Sequence, residues 1–168
     1  MSKVIIVDEH DQAIGLKERD EITKNDIYRV SVLWIENSKG EILLTQRKSD
    51  KKVDPGCWSP AVAGTNEATE TYRSNIYKEA EEELGLVGFS FHELPKISPN
   101  IHCNYFIMPY FLNADLDLEK DIVLQDSEVE AAAWFDPDAL GVDIKLNPSK
   151  YVKSAPYWES WNILKTSL

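Results

Sequence analysis

Glu79, Glu82 and Glu83 stand at positions i, i+3 and i+4, so on a helix they share one face. Like charges at that spacing repel by about 0.2–0.5 kcal/mol per pair, and no lysine is interspersed among them. A hard divalent cation such as Mg2+ or Mn2+ gives an economical reason to keep carboxylates together, because it takes oxygen ligands and shares them with substrate phosphates. A bare glutamate run reads as a solvated helix face. The flanks change that reading: Gly64 and Glu70 precede the run, Lys78 adjoins it, and Gly85-Leu86 closes it.

The elements that must position these acids are legible around them. Thr71 is an N-cap candidate, Tyr72, Ile76, Ala80 and Leu84 recur every four residues as an inward stripe, and Gly85 fits the C′ position. Upstream, Asp54-Pro55-Gly56 breaks the chain before a strand or extended segment over 58–63 that leads into the Gly64 loop. Residues 4–7 and 13–16 flank a polar turn and predict an N-terminal hairpin. Residues 28–35 and 41–46, joined through Asn37-Ser38-Lys39-Gly40, predict a central one. Further strands are expected over 89–94, 105–112 and 129–135. Ser154 and Pro156 mark the start of a final helix carrying Tyr157, Trp161, Leu164 and Leu168. Strands interleaved with two separated helices imply an α/β fold.

At 168 residues and 43% hydrophobic content, the chain is sized for one domain, with 1–27 as an N-terminal hairpin extension and 154–168 as a C-terminal helix. The formal charge of −11 argues against a nucleic-acid polymer as partner, since backbone phosphates are bound through Lys and Arg. No apolar run reaches bilayer-spanning length, the N-terminus lacks a signal peptide's apolar region, and two cysteines, Cys57 and Cys103, make no disulfide framework. A cytoplasmic protein without a membrane partner is expected, and a homodimer is left open. His10, His92 and His102 lack metal-ligand spacing.

The 64–86 segment resembles the signature of the Nudix superfamily, Gly-x5-Glu-x7-Arg-Glu-U-x-Glu-Glu-x-Gly-U, with U a bulky aliphatic. Gly64, Glu70, Glu79, Glu82, Glu83, Gly85 and Leu86 fall on it in register, while Lys78 replaces the arginine and Ala80 the first aliphatic. The resemblance implies an α/β/α sandwich with a mixed central sheet, and metal-dependent hydrolysis of a diphosphate linkage in a small molecule such as a nucleoside diphosphate derivative. By position, Glu82 and Glu83 would be the principal ligands of Mg2+ or Mn2+, with Glu79 a third and the Gly64 carbonyl completing the site. Glu70 would support the loop, and Lys78 would orient a glutamate as a point charge rather than a planar fork. The general base is either Glu79 or Glu128, the latter lying just before a predicted strand.

Outside that segment the chain is similar to the isopentenyl-diphosphate isomerase branch, through Val7-Asp8-Glu9, Trp34-Ile35, Leu43-Leu44-Thr45-Gln46-Arg47, Pro55-Gly56-Cys57-Trp58 and Glu128-Val129 with Trp134. That isomerase needs a cysteine, a histidine and a glutamate pair where this chain has Ala63, Thr65, Asn104 and Phe106, so its acid-base pair is missing. What survives is diphosphate recognition: Arg47 and Lys51 match the branch's basic residues at spacing four, with Arg29 a weaker candidate. An isomerase-like protein and a catalytically silent ligand-binding module are the alternatives.

Overall fold

The computed structural model describes residues 3–101 and 103–167, and its organising element is β3 (Ile27–Glu36). Every residue from Val30 to Ile35 is buried, which is the pattern of a strand covered on both faces. β3 pairs antiparallel with β1 (Lys3–Val7) and β6 (Val62–Thr65), and parallel with β8 (Tyr105–Asn113) from Tyr28↔Tyr105 to Glu36↔Asn113. β4 (Ile42–Arg47) carries β5 (Trp58–Pro60) on one side and β9 (Val129–Phe135) on the other. With β2 (Ala13–Glu18) outside β1 and β7 (His92–Glu93) beside β8, nine strands form one mixed sheet.

Each face of the sheet is sealed by helix. On one, Leu33, Ile35, Leu43 and Val62 pack against Ile76, Ala80 and Leu84 of α1 (Tyr72–Leu84). On the other, Val32, Trp34, Ile42 and Leu44 pack against Trp161 and Leu164 of α3 (Ala155–Ser167) and Leu140 of α2 (Pro137–Leu146). This is the expected α/β/α sandwich with a mixed central sheet and an N-terminal β-hairpin. Full burial of each leucine or isoleucine in these layers contributes about 1.5–3 kcal/mol. The Trp34 indole N–H donates to the buried Ser160 hydroxyl at 2.5 Å, which satisfies the one polar atom the tryptophan brings into its layer.

Three expectations need correction. The central hairpin opens at once: β3 and β4 share the single pair Glu36↔Ile42 and then diverge, β3 toward β6 and β8, β4 toward β5 and β9. The strand expected over 89–94 shrinks to His92–Glu93, which pairs with β8 at His92↔Phe111 and Glu93↔Tyr110, while Phe91 and Leu94 are buried on opposite faces of the sheet. A third helix, α2, was not anticipated, although Asp136 caps it by accepting from the Ala139 N–H and Pro137 occupies its first position. Leu168 of the expected terminal stripe lies outside the described residues.

Candidate active site

α1 is set over β6 by its ends as much as by its stripe. The Thr71 hydroxyl accepts from the Ser74 N–H at 3.1 Å, and Ser74 bonds back to Thr71. At the other end Gly85 adopts φ +68° and its N–H reaches the Glu81 carbonyl at 2.9 Å. Beneath the helix passes Gly64, register partner of Ser31. A β-carbon on residue 64 would lie 2.4 Å from Glu79 Cγ and 2.8 Å from Asn75 Oδ1, so only glycine lets strand and helix approach this closely.

Around that contact the side chains interlock. Glu70 accepts from the Glu67 N–H at 2.8 Å, from Asn75 Nδ2 at 2.9 Å and from Lys78 Nζ at 3.0 Å. Burial works to raise its pKa, but the Glu67 N–H, Lys78 and Asn75 outweigh it and hold the carboxyl below its usual range. Lys78 also stands 3.8 Å from Glu67 and 3.9 Å from Glu79, one ammonium serving three acids. Asn75, whose amide nitrogen also reaches Glu79 Oε1 at 3.3 Å, is a site residue that sequence reasoning missed. Its signal was a polar residue four positions before Glu79, beside an otherwise apolar stripe.

Glu83 meets a second group of residues. The loop before β9 is tied to the end of α1 by the Val123 N–H to the Leu84 carbonyl and the Gln125 N–H to the Glu83 carbonyl, both at 3.0 Å. The β4–β9 ladder then ends with Arg47 opposite Val129, which sets Arg47 beside Glu128. The Lys48 N–H donates to the Glu128 carbonyl at 3.1 Å, and Lys51 Nζ lies 2.5 Å from Glu128 Oε1. Burial, then Glu79 and Glu128, pushes the Glu83 pKa up to about 8 against the pull of Arg47 and Lys51. Glu79 is pushed up to about 7, by burial first; Lys78 opposes, while Glu82 and Glu70 add to the rise. Glu82 is exposed on the same helix face. Helix α1 and loops 48–57 and 114–128 thus bring Glu79, Glu82, Glu83, Glu128, Arg47 and Lys51 to one side of the molecule.

Arg29 is not part of that group. Its Nε donates to Asp11 Oδ1 and its terminal amine to the Asp11 carbonyl, both at 2.6 Å. Asp11, buried at the tip of the β1–β2 hairpin, also takes Lys96 at 2.5 Å and the Tyr72 hydroxyl at 3.1 Å. Arg29 is therefore committed to clasping the N-terminal hairpin onto α1.

The positions that the isomerase would use hold other chemistry. The Asn104 amide is engaged by the carbonyls of Lys24 and Asp26 at 2.9 Å, and Phe106 is core. Both cysteines are buried, and burial raises both thiols, so neither is an activated nucleophile. His10 and His92 are exposed, and His102 lies outside the described residues.

Among the described residues no three His, Cys, Asp or Glu side chains already converge on one ion position. The donor set nevertheless fits a hard cation. Glu79 and Glu83 are half-buried carboxylates whose charged forms are disfavoured, and Asn75 Oδ1, beside Gly64, is a buried acceptor without a hydrogen-bond partner.

Known proteins resemble this chain in sequence and in fold. An uncharacterised Nudix hydrolase of Nostoc sp. is 37% identical over 83 residues, 48% of this chain and 49% of its own length. The chain thus spans about half of that relative. An isopentenyl-diphosphate Delta-isomerase of Corynebacterium glutamicum is 26% identical over 156 residues, 86% of this chain and 82% of the isomerase. The crystal structure of the Deinococcus radiodurans protein DR0079 superposes with a TM-score of 0.83 at 22% identity, over 96% of this chain and 98% of that one. The family model described as NUDIX domain matches residues 27–156. That match takes in most of the chain, from β3 through the glutamate helix to the start of α3, and the protein belongs to the Nudix family.

Proposed function

We propose that the protein is a divalent-metal-dependent Nudix hydrolase that cleaves a diphosphate linkage in a small molecule such as a nucleoside diphosphate derivative. The observation that carries this reading is the meeting of the Glu79–Glu83 helix face with Arg47, Lys51 and Glu128, tied through the Gln125 N–H to the Glu83 carbonyl at 3.0 Å. Glu79, Glu82, Glu83 and the Gly64 carbonyl would hold Mg2+ or Mn2+. Once bound, such an ion neutralises diphosphate oxygens and acidifies a coordinated water.

The chain's own residues supply the remaining work. Arg47 and Lys51 grip the diphosphate, and Arg47 can do so with the guanidinium nitrogens left over from its Nε bond to the Val53 carbonyl at 3.1 Å. Glu128, 2.5 Å from Lys51 Nζ, takes the proton from the attacking water. Lys78 and Asn75 hold Glu70 and Glu79 in place. A cytoplasmic setting is part of the same proposal; no helix among the described residues is long and apolar enough to cross a membrane.

The test is a panel of nucleoside di- and triphosphates, dinucleotides and nucleotide sugars incubated with Mg2+. Release of phosphate or a mononucleotide supports the reading, and silence across the panel counts against it. Isomerisation of isopentenyl diphosphate is not expected, since Ala63, Thr65, Asn104 and Phe106 carry no acid-base pair.

A further inference from the structure

Loop 48–57 and the chain around Ser149 line an open surface cavity of about 520 Å³ beside Arg47 and outside the glutamate helix, with the side chains of Lys52 and Lys153 exposed at it. Its walls are fixed. The Arg47 N–H bonds to the Cys57 carbonyl at 2.9 Å and the Gly56 N–H to the Lys48 carbonyl at 3.3 Å, closing the loop at its base. Asp54 and Gly56 turn it back on itself at φ +45° and +70°. The far wall is held by the Cys57 thiol donating to the Ser149 carbonyl at 3.4 Å and the Val152 N–H to the Trp58 carbonyl at 2.9 Å.

The charge of this cavity is opposite to that of the chain. Neighbouring lysines are matched with acids: Lys48 with Glu130 at 3.1 Å, Lys51 with Glu128 at 2.5 Å and Lys150 with Asp143 at 3.4 Å. Lys52 and Lys153, both on the cavity wall, have no carboxylate within ion-pair distance among the described residues. Asp54 is the one acid in the lining, set against two lysines and the adjoining Arg47. Cys57 adds no charge, because burial and then Asp54 raise its thiol. In a chain of net charge −11, such a local excess of cations repels no anionic ligand and attracts one.

We infer that the cavity between Lys52, Cys57 and Lys153 is an anion subsite that takes a second phosphate-class group of the substrate, adjoining the diphosphate held at Arg47 and Lys51. Its substrate clause rests on the hydrolase reading; the anion site itself does not. The preferred substrates are then diphosphates bearing an additional phosphomonoester.

Inorganic phosphate titrated calorimetrically at low ionic strength, without metal, tests the site independently of turnover. The Lys52→Ala/Lys153→Ala double variant is expected to bind phosphate about ten-fold more weakly than wild type. The Lys52→Arg/Lys153→Arg variant is expected to recover the affinity. No binding by wild type, or equal binding by the double alanine variant, overturns the subsite. For the substrate clause, wild type is expected to bind ADP-ribose 2′-phosphate about ten-fold more tightly than ADP-ribose, and the double alanine variant to bind the two alike; equal affinities in wild type overturn it. Failure of the hydrolase reading would instead be seen as absent metal-dependent turnover while phosphate binding persists.

Discussion

Lys51 Nζ lies 2.5 Å from Glu128 Oε1, so a cation suited to gripping diphosphate is held by the acid suited to accepting a proton. The pair is partly exposed, and its net worth to stability is small, about 0–1 kcal/mol. Its consequence is kinetic. On the proposed hydrolase reading, an arriving diphosphate would have to compete with Glu128 for Lys51.

A Glu128→Gln variant should therefore change kcat and KM in opposite senses for their effect on rate. Loss of the proton acceptor should lower kcat by about 100-fold or more. Release of Lys51 should lower KM for the same substrate. Steady-state kinetics on the best substrate of the panel decides it: an unchanged kcat would move the base role to Glu79, and a raised KM would contradict the competition.

Glu79 and Glu83 carry a pH signature in the absence of metal. Both folded-state pKa values, about 7 and about 8, stand above the ordinary glutamate value of 4.5, so unfolding releases protons between those limits. Stability of the metal-free protein should then fall as pH rises from about 5 to 8. Mg2+ binds only the ionised acids, so its stabilising effect should grow over the same interval. Thermal melts at pH 5.5 and pH 8, with and without Mg2+, check both slopes. A Glu79→Gln/Glu83→Gln variant should flatten them, and an unflattened profile would assign the slope elsewhere.

Gly64→Ala places a methyl group 2.4 Å from Glu79 Cγ and 2.8 Å from Asn75 Oδ1 in a buried layer. The overpacking should cost about 1–3 kcal/mol of stability. Because the displaced side chain is Glu79, activity should fall further than the loss of folded protein explains. Denaturant melts alongside specific activity separate the two, and activity in step with the folded fraction would remove Gly64 from the site.

The helix, its caps and its acid face were legible because the relevant physics is local. Thr71 and Gly85 sit at the ends of a four-residue apolar recurrence, and Glu79, Glu82 and Glu83 fall beside it by spacing alone. The opened hairpin was not legible, since the partner of Leu33 is Val62 on one side and Tyr110 on the other, contacts 29 and 77 residues away. The short strand His92–Glu93 depends on its pairing with Phe111 and Tyr110 far along the chain, and helix α2 rests on an Asp136-Pro137 cap where no apolar period advertises a helix. Within the site, Arg29 reads as a free cation in sequence, and only the fold reveals Asp11 beside it.

Lys78 stands where the family pattern has arginine, and it divides one ammonium among Glu70, Glu67 and Glu79 at 3.0, 3.8 and 3.9 Å. Removing it as Lys78→Met takes away the cation that opposes the raised Glu79 pKa. The acid limb of the pH–rate profile should shift to higher pH. Lys78→Arg, with a planar fork able to bridge Glu70 and Glu79, should match or exceed wild-type activity. An unmoved profile in Lys78→Met would leave Lys78 a purely structural residue.

The glutamate face of α1 is proposed to hold a divalent ion. Mn2+ titration followed by electron paramagnetic resonance, in wild type and in Glu79→Gln/Glu83→Gln, tests that claim without requiring a substrate. Wild type should remove free Mn2+ from solution with a saturable site that the double variant lacks. Equal Mn2+ binding by the two proteins, or none by wild type, would contradict it.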